Sequence, residues 1–265
     1  MFMSDPNFKK AACAILSYNH PEITFRAVNS VLKFHPPENI YLIHNGSEQK
    51  WIKKHQLDFP QINHLIQTQN KGYTGGVNFA FTNLFENNKN QWVFLLTNDC
   101  TLLTNLEAPP TEPGLYSVLI YRRKIDVIDS VIGLFEPKKG KLSHLRSSNF
   151  VKLNSSYFYV PGTAFWLDSK TFKDVGLFDE SLHTYWEDVD YSMRVQAKNI
   201  NLNPHLTTQV LHSIGKTCHK NPYYTKFLFQ RNRKIISLKY CSSLNEKIYF
   251  IIYNLIFSFS KFFIF

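Results

Sequence analysis

Three carboxylates crowd four positions at Glu187, Asp188 and Asp190, behind Trp186 and ahead of Arg194. A carboxylate aimed into a cleft can act as a general base on a hydroxyl. The same acids also suit the first turn of a helix, and Asp190 with Arg194 forms an i,i+4 ion pair. A second set is Thr97-Asn98-Asp99-Cys100, after an apolar run. A carboxylate at the end of a buried strand can hold a ribose hydroxyl or a metal, or can be a polar turn. A third is Asn70-Lys71-Gly72-Tyr73-Thr74-Gly75-Gly76-Val77-Asn78. Its glycines let backbone approach a ligand and would leave N–H groups at a positive helix end, which suits a diphosphate. It matches neither a P-loop nor a dinucleotide fingerprint, and a tight turn explains it equally. The fourth is His212, followed by Gly215, Lys216 and Thr217. A histidine there is a metal ligand or an ordinary hydrogen-bonded residue.

These groups need strands and helices to bring them together. Apolar runs predict strands over 11–17, 40–43, 62–67 and 92–96. A helix is expected over 21–34, with Pro21 in its first turn. The glycine segment 72–76 reads as a loop opening a helix over 77–85, and Asn45-Gly46-Ser47 reads as a turn. Alternation of this kind implies a mostly parallel sheet flanked by helices, with ligands at the carboxyl ends of the strands. Asn19, His44, Asn45, Asn98 and Asp99 all follow such strands. Beyond a Pro-rich connection at 107–114, strands are expected over 115–121 and 127–135, and an extended stretch over 157–166 broken at Pro161-Gly162. Helices are expected over 186–197 and 223–240, with a short strand over 209–211.

The 265 residues fit one large α/β domain, or one domain with a short appendage. A hydrophobic fraction of 44% with 19% charged residues argues against disorder. The formal charge of +10 favours anionic partners, among them nucleic acid, anionic lipid and phosphorylated substrates. No nucleic-acid-binding motif accompanies it. Cys13, Cys100, Cys218 and Cys241 show neither metal-clip spacing nor a disulfide framework, so a reducing cytosol is the simplest setting. No signal peptide is read at the N-terminus. The apolar stretch 248–265 would span about 27 Å as a helix, slightly short of a bilayer crossing. It also carries Asn254, Ser258, Ser260 and Lys261, and reads as a helix for a membrane surface or a partner, or as a last core helix.

Taken in order, the motifs resemble family 2 glycosyltransferases of the GT-A fold, in particular their rhamnosyltransferase-like branch. Ile15-Leu16-Ser17-Tyr18-Asn19 resembles the family's first strand, and His44-Asn45-Gly46-Ser47 its Asp-Asn-Gly-Ser. The glycine segment resembles its Asn-x-Gly-x-x-Gly-Gly-x-Asn. Pro161-Gly162-Thr163-Ala164 with 175–180 resembles its acceptor-side segment, and Glu187-Asp188-x-Asp190 its Glu-Asp signature. His212-x-x-Gly215-x-Thr217 and Arg231-Asn232 resemble its closing motifs.

The resemblance implies a nucleotide-binding half over 1–105, an acceptor half over 106–240, and a C-terminal helix over 241–265. It implies an inverting transfer from a UDP- or dTDP-sugar to a bacterial surface glycan or lipid-linked acceptor. Ser17, Asn19, His44, Asn45, Lys71, Gly72, Gly75, Gly76, Asn78, Asn98 and Asp99 would bind the donor. Gly162, Thr163 and Trp186 would face the sugar and acceptor. Asp188, beside Glu187, would be the base. Asp99, Cys100 and His212 would hold Mn2+ or Mg2+. The glycine-segment N–H groups with Lys216 or Arg231 would be the substitute for that charge. Two positions depart from the family. Cys100 stands where Asp is usual, and hard divalent ions prefer oxygen ligands. His44 replaces the Asp that usually meets the donor base. With the net charge, the terminal helix implies a peripheral protein at the inner face of the plasma membrane, and no nucleic-acid partner is expected. A non-catalytic subunit that binds sugar nucleotides or glycans is the alternative.

Overall fold

The computed structural model describes residues 11–87, 90–106, 109–122, 124–147, 157–213 and 222–260. Strands β1 (Ala11–Ser17), β2 (Ile40–Asn45), β3 (Asn63–Gln67) and β4 (Trp92–Thr97) pair in parallel in the order β3-β2-β1-β4. Helices α1 (Pro21–Leu32), α2 (Gln49–Asp58) and α3 (Gly72–Phe81) connect them. Every residue of β1 is buried. Alternate side chains serve opposite faces. Ala11, Cys13 and Ile15 pack with Val28 and Val31 of α1, while Ala12, Ala14 and Leu16 pack with Val77 and Phe81 of α3. A strand covered on both faces has no polar side to show, hence its unbroken apolar run.

The sheet continues through β11 (Ala164–Asp168), antiparallel to β4 and to β6 (Gly114–Arg122). β12 (Asn201–His212) lies parallel to β6, and its last residues pair antiparallel with β5 (Cys100–Leu102). β7 (Lys124–Ser130) pairs with β6. A separate antiparallel sheet holds β8 (Ile132–Glu136), β9 (Lys141–Leu145) and β10 (Phe158–Tyr159). Helices α4 (Ser169–Val175), α5 (Glu187–Ala197), α6 (Pro222–Tyr240) and α7 (Leu244–Ser260) complete the described chain. A third apolar cluster, including Phe135, Tyr159, Trp186, Met193 and Ile236, joins the small sheet to α5 and α6.

This topology gathers chemistry at one edge. Parallel register sets Ser17 beside His44 and Leu16 beside Thr97, so the carboxyl ends of β1, β2 and β4 are level. The pairing of β12 with β5 sets His212 opposite Cys100.

Four expectations are corrected. The helix after the glycine segment starts at Gly72, not Val77, with the Asn70 side chain accepting the Gly72 N–H at 2.9 Å just ahead of it. The expected strand over 127–135 is two strands, with Val131 between them. β12 runs twelve residues rather than three. Its first part is half exposed, so its polar residues and Pro204 hid it, and a register shift falls between His205 and Gln209. The helices α2 and α4 were not expected. Few apolar residues of α2 are buried, while α4 is short and is capped by Asp168, which accepts from Lys170 and Thr171.

Candidate active site

The Asn45 side chain organises the carboxyl edge of the parallel strands. Its amide donates to the Gly72 carbonyl at 2.8 Å and its oxygen accepts from the Lys71 N–H at 3.3 Å. A Cβ at Gly76 would sit 2.8 Å from both Asn45 Nδ2 and Leu16 Cδ1, so this contact requires glycine. Gly72 has φ +71° and a Cβ there would press on His183 at 2.4 Å. The expectation of open N–H groups at the start of α3 is overturned. Gly72 donates to Asn70, Tyr73 to Thr184 Oγ1 at 3.2 Å, Thr74 to the His183 carbonyl at 3.2 Å, and Gly75 to Lys71. The segment joins α3 to residues 183–184 and offers no N–H cradle.

Those residues lead to the carboxylates. His183, Tyr185 and Trp186 all have left-handed φ, an arrangement costing about 1–3 kcal/mol per residue that the surroundings must hold. Buried Asn232 of α6 does so, its amide reaching the carbonyls of Leu182, Thr184 and Tyr185 at 2.8, 2.9 and 2.8 Å. The chain then turns into α5, and Asp188 Oδ2 accepts the Gly162 N–H at 3.1 Å. Tyr73 donates its hydroxyl to the Gly162 carbonyl, which fixes that loop from the other side. Burial raises the Asp188 carboxyl, with the Gly162 and Val189 N–H groups and His144 opposing. Burial and the neighbouring Asp188 charge hold Glu187 well above the usual range. Glu187 Oε2 and Trp186 Nε1 have no hydrogen-bond partner among the described residues. Asp190, one turn of chemistry away, is paired on every side. Arg194 lies at 2.9 Å, Lys239 at 2.6 Å and the Tyr240 hydroxyl at 2.8 Å. Burial alone would raise its carboxyl, but these partners together hold it below the ordinary value.

At the end of β4, Asp99 Oδ1 accepts from Thr97 at 2.7 Å, and Oδ2 lies 3.3 Å from His212 Nε2. One donor atom each from Asp99, Cys100 and His212 fall within 4.8 Å of one another. Carboxylate and imidazole suit a divalent ion such as Mn2+; the thiol suits it less. Burial, then the Asp99 charge, pushes the Cys100 thiol well up, so ligation by its sulfur needs an ion to displace the proton.

A cleft of about 1290 Å³ connects the two sets. Asn19, Asn45, Gly72, Asn98, Asp99 and His212 line it, as do Gly162, Thr163, Trp186, Glu187 and Asp188. Other residues read as donor contacts serve the framework. Asn78 clamps Phe178 and Glu180. Asn98, though at the wall, commits its amide to Thr24 at 2.9 Å, and Ser17 also bonds Thr24. Gly75 and Gly76 are buried within α3, and Lys71 packs against Gly75. His44 is fully buried, 3.1 Å from His64 Nδ1 and stacked on His55, and is turned away from the cleft. Arg231 is not among the residues that line the cleft and donates to the Ser181 carbonyl at 2.6 Å. Gly215, Lys216 and Thr217 lie outside the described residues.

No protein-family model and no curated protein matches the chain. Solved structures do. GalNAc-T7 with UDP, GalNAc and Mn2+ matches with TM-score 0.63 and 15% identity over 87% of this chain. The mannosyltransferase PcManGT of Pyrobaculum calidifontis, in complex with GDP-Man and Mn2+, matches with TM-score 0.58 and 8% identity over 91%. TarS of S. aureus matches with TM-score 0.52 and 12% identity over 90%. The fold is GT-A. The chain covers 47%, 68% and 41% of those three chains respectively.

Within this GT-A frame, the cleft includes residues that motif reading missed. Tyr18 and Trp51 put aromatic rings at the end near Asn19, and Tyr159 and His144 stand at the end near Asp188. Tyr18 lay inside a quoted motif. Trp51 sits on the unexpected α2, and His144 on β9, with no local pattern to mark it.

Proposed function

We propose that this protein is a glycosyltransferase that moves a sugar from a nucleotide diphosphate donor to a hydroxyl acceptor. The observation that carries this is the placement of a raised, incompletely partnered carboxylate pair and an Asp99–His212 pair on the walls of one cleft. The GT-A fold raises the prior without deciding the activity, since one fold hosts many functions.

The reading in detail is an inverting displacement. Asp188 takes the acceptor proton, and the acceptor oxygen forms a bond to the anomeric carbon as the bond to the diphosphate oxygen breaks. The bonding electrons leave with the diphosphate. A divalent cation held by Asp99 and His212, with Cys100 alongside, would supply positive charge against that leaving group. Asn19 and Asn45 stand on the donor side, within the half that ends near residue 105. Gly162, Thr163 and Trp186 stand on the sugar and acceptor side. The motif resemblance suggests a UDP- or dTDP-sugar, rhamnose being one candidate, and a bacterial surface glycan or lipid-linked acceptor met at the inner face of the plasma membrane.

A non-catalytic sugar-nucleotide-binding subunit is the second reading, and Cys100 in the metal set favours it. Thermal stabilisation by UDP, dTDP, GDP and CDP, each with and without Mn2+, tests both, because a ligand of the native state raises Tm by mass action. One nucleotide that stabilises, more so with Mn2+, and turnover of its sugar conjugate support the enzyme. Binding without any turnover, hydrolysis included, leaves the binding subunit. No binding at all defeats both.

A further inference from the structure

The face made by α6 and α7 is exposed, apolar and basic. On α7, Leu244, Ile248, Ile251, Ile252 and Leu255 repeat at helical spacing along one side. The last four are 46% to 55% exposed, while Phe250 on the other side is buried against Gly140. On α6, Tyr223 is 83% exposed and Phe227, one turn on, 58%. Gln230 and Lys234 continue that line and meet Ile251 and Leu255 across a shared groove of about 390 Å³, which makes the two apolar lines one surface. Tyr224 and Phe229, on the flanks of the α6 line, border the large cleft near Trp186, so α6 separates the exposed surface from the cleft. Charge agrees: of the six basic residues in 222–260, Arg231, Arg233 and Lys239 are engaged with the rest of the fold, leaving Lys226, Lys234 and Lys247 against one acid, Glu246. Glu246 is held at the foot of α7 by Ser242 at 2.8 Å. Among the described residues no helix is long and apolar enough to cross a membrane.

We infer that the α6–α7 face docks on an anionic lipid bilayer, with α7 lying in the interface and the acceptor end of the cleft one helix away, across α6. Apolar side chains on one face of a helix with flanking lysines are what an interfacial helix needs. Lys226, Lys234 and Lys247 supply attraction to anionic headgroups. The inference rests on the transferase reading and narrows its acceptor to a lipid-linked one, presented to Asp188 from the membrane plane.

The test is flotation of the full chain with mixed phosphatidylcholine–phosphatidylglycerol vesicles and with pure phosphatidylcholine vesicles. Binding is expected to the mixed vesicles, weakened by salt. Ile252→Glu and Phe227→Ser should each lower affinity roughly tenfold, the size expected for losing one buried apolar side chain. Nucleotide-induced stabilisation should be unchanged in both variants, which shows that they fold. Equal binding to both vesicle types, no flotation, or a soluble oligomer dispersed by Ile252→Glu would overturn the inference. Flotation by a protein that binds no nucleotide would instead keep the docking face and remove the transferase reading.

Discussion

Asp188 and Asp190 sit two residues apart on one helix, in opposite environments. Among the described residues, the wall of the cleft gives Asp188 N–H donors and no ion-pair partner, beside a Glu187 oxygen without a hydrogen bond. The interior side gives Asp190 an arginine, a lysine and a tyrosine. A carboxylate neutralised on all sides is structural. One kept from water without a cation is costly to ionise and ready to accept a proton. The same contrast appears elsewhere: the Asn78 and Asn98 side chains are committed to the framework, whereas Trp186 Nε1 and Glu187 Oε2 have no partner among the described residues.

The sharpest test of that division is Asp188→Asn. Transfer should fall by about 10²- to 10⁴-fold, the usual contribution of a general base, with nucleotide stabilisation retained. The acid limb of the wild-type pH–rate profile should lie above the ordinary carboxylate range. Because a raised carboxyl favours the folded state at low pH and loses that advantage as pH rises through its folded pKa, the variant should melt slightly higher than wild type at neutral pH. An unchanged rate would erase the distinction between the two acids.

Asp190→Asn should do the reverse. It leaves Arg194 and Lys239 without their carboxylate and should cost about 3 kcal/mol, the low end for breaking a buried pair, since Lys239 is partly solvated. Denaturant melts would show it. Its carboxyl is held low, so the loss should be full above the ordinary Asp pKa and should fade as pH falls through the folded value. Next, Asn232→Ala should cost roughly 2 kcal/mol for the lost bonds to the Thr184 and Tyr185 carbonyls, Leu182 keeping Arg231 as a donor, and lower kcat more than it alters nucleotide affinity. A change in nucleotide affinity alone would move Asn232 to the donor side.

Smaller again is the effect of acid on the buried histidines. Burial, with His64 and His55 beside it, lowers His44 from 6.5 to about 3, and burial lowers His35 to about 4. The unfolded chain then binds protons that the fold refuses, so stability should fall below pH 6.5 by about 1.4 kcal/mol per pH unit for each. Thermal melts from pH 7.5 to 5.5 would measure this, and His44→Asn should flatten the slope. Last, Cys100→Asp should tighten Mn2+ about tenfold in thermal titrations, the low end for a change at a metal centre.

Much of this was open to a reader of the sequence. The parallel half was, because buried strands such as β1 are continuous apolar runs and their boundaries fall where polarity returns. Asp99 was, because it follows such a strand, β4, and Glu187 and Asp188 could be read as a helix start because acids cluster there. β12 and α2 were not, since half-exposed elements carry mixed residues and no clear period. Nor were the partners of the α3 N–H groups, which come from residues 183–184, about 110 positions away in the chain. His144 and Trp51 depend on tertiary folding in the same way, and Asn232 was quoted only as part of a motif, with no sign of the three carbonyls it would meet.

Those three carbonyls have a mechanical meaning. All three converge on a single nitrogen, Asn232 Nδ2, so residues 182–185 are tied to α6 at one point on the approach to Asp188. The next residue back on α6, Arg231, adds a second tie by donating to the Ser181 and Leu182 carbonyls. Two neighbouring residues of one helix turn thus carry the strained path that leads into the carboxylates.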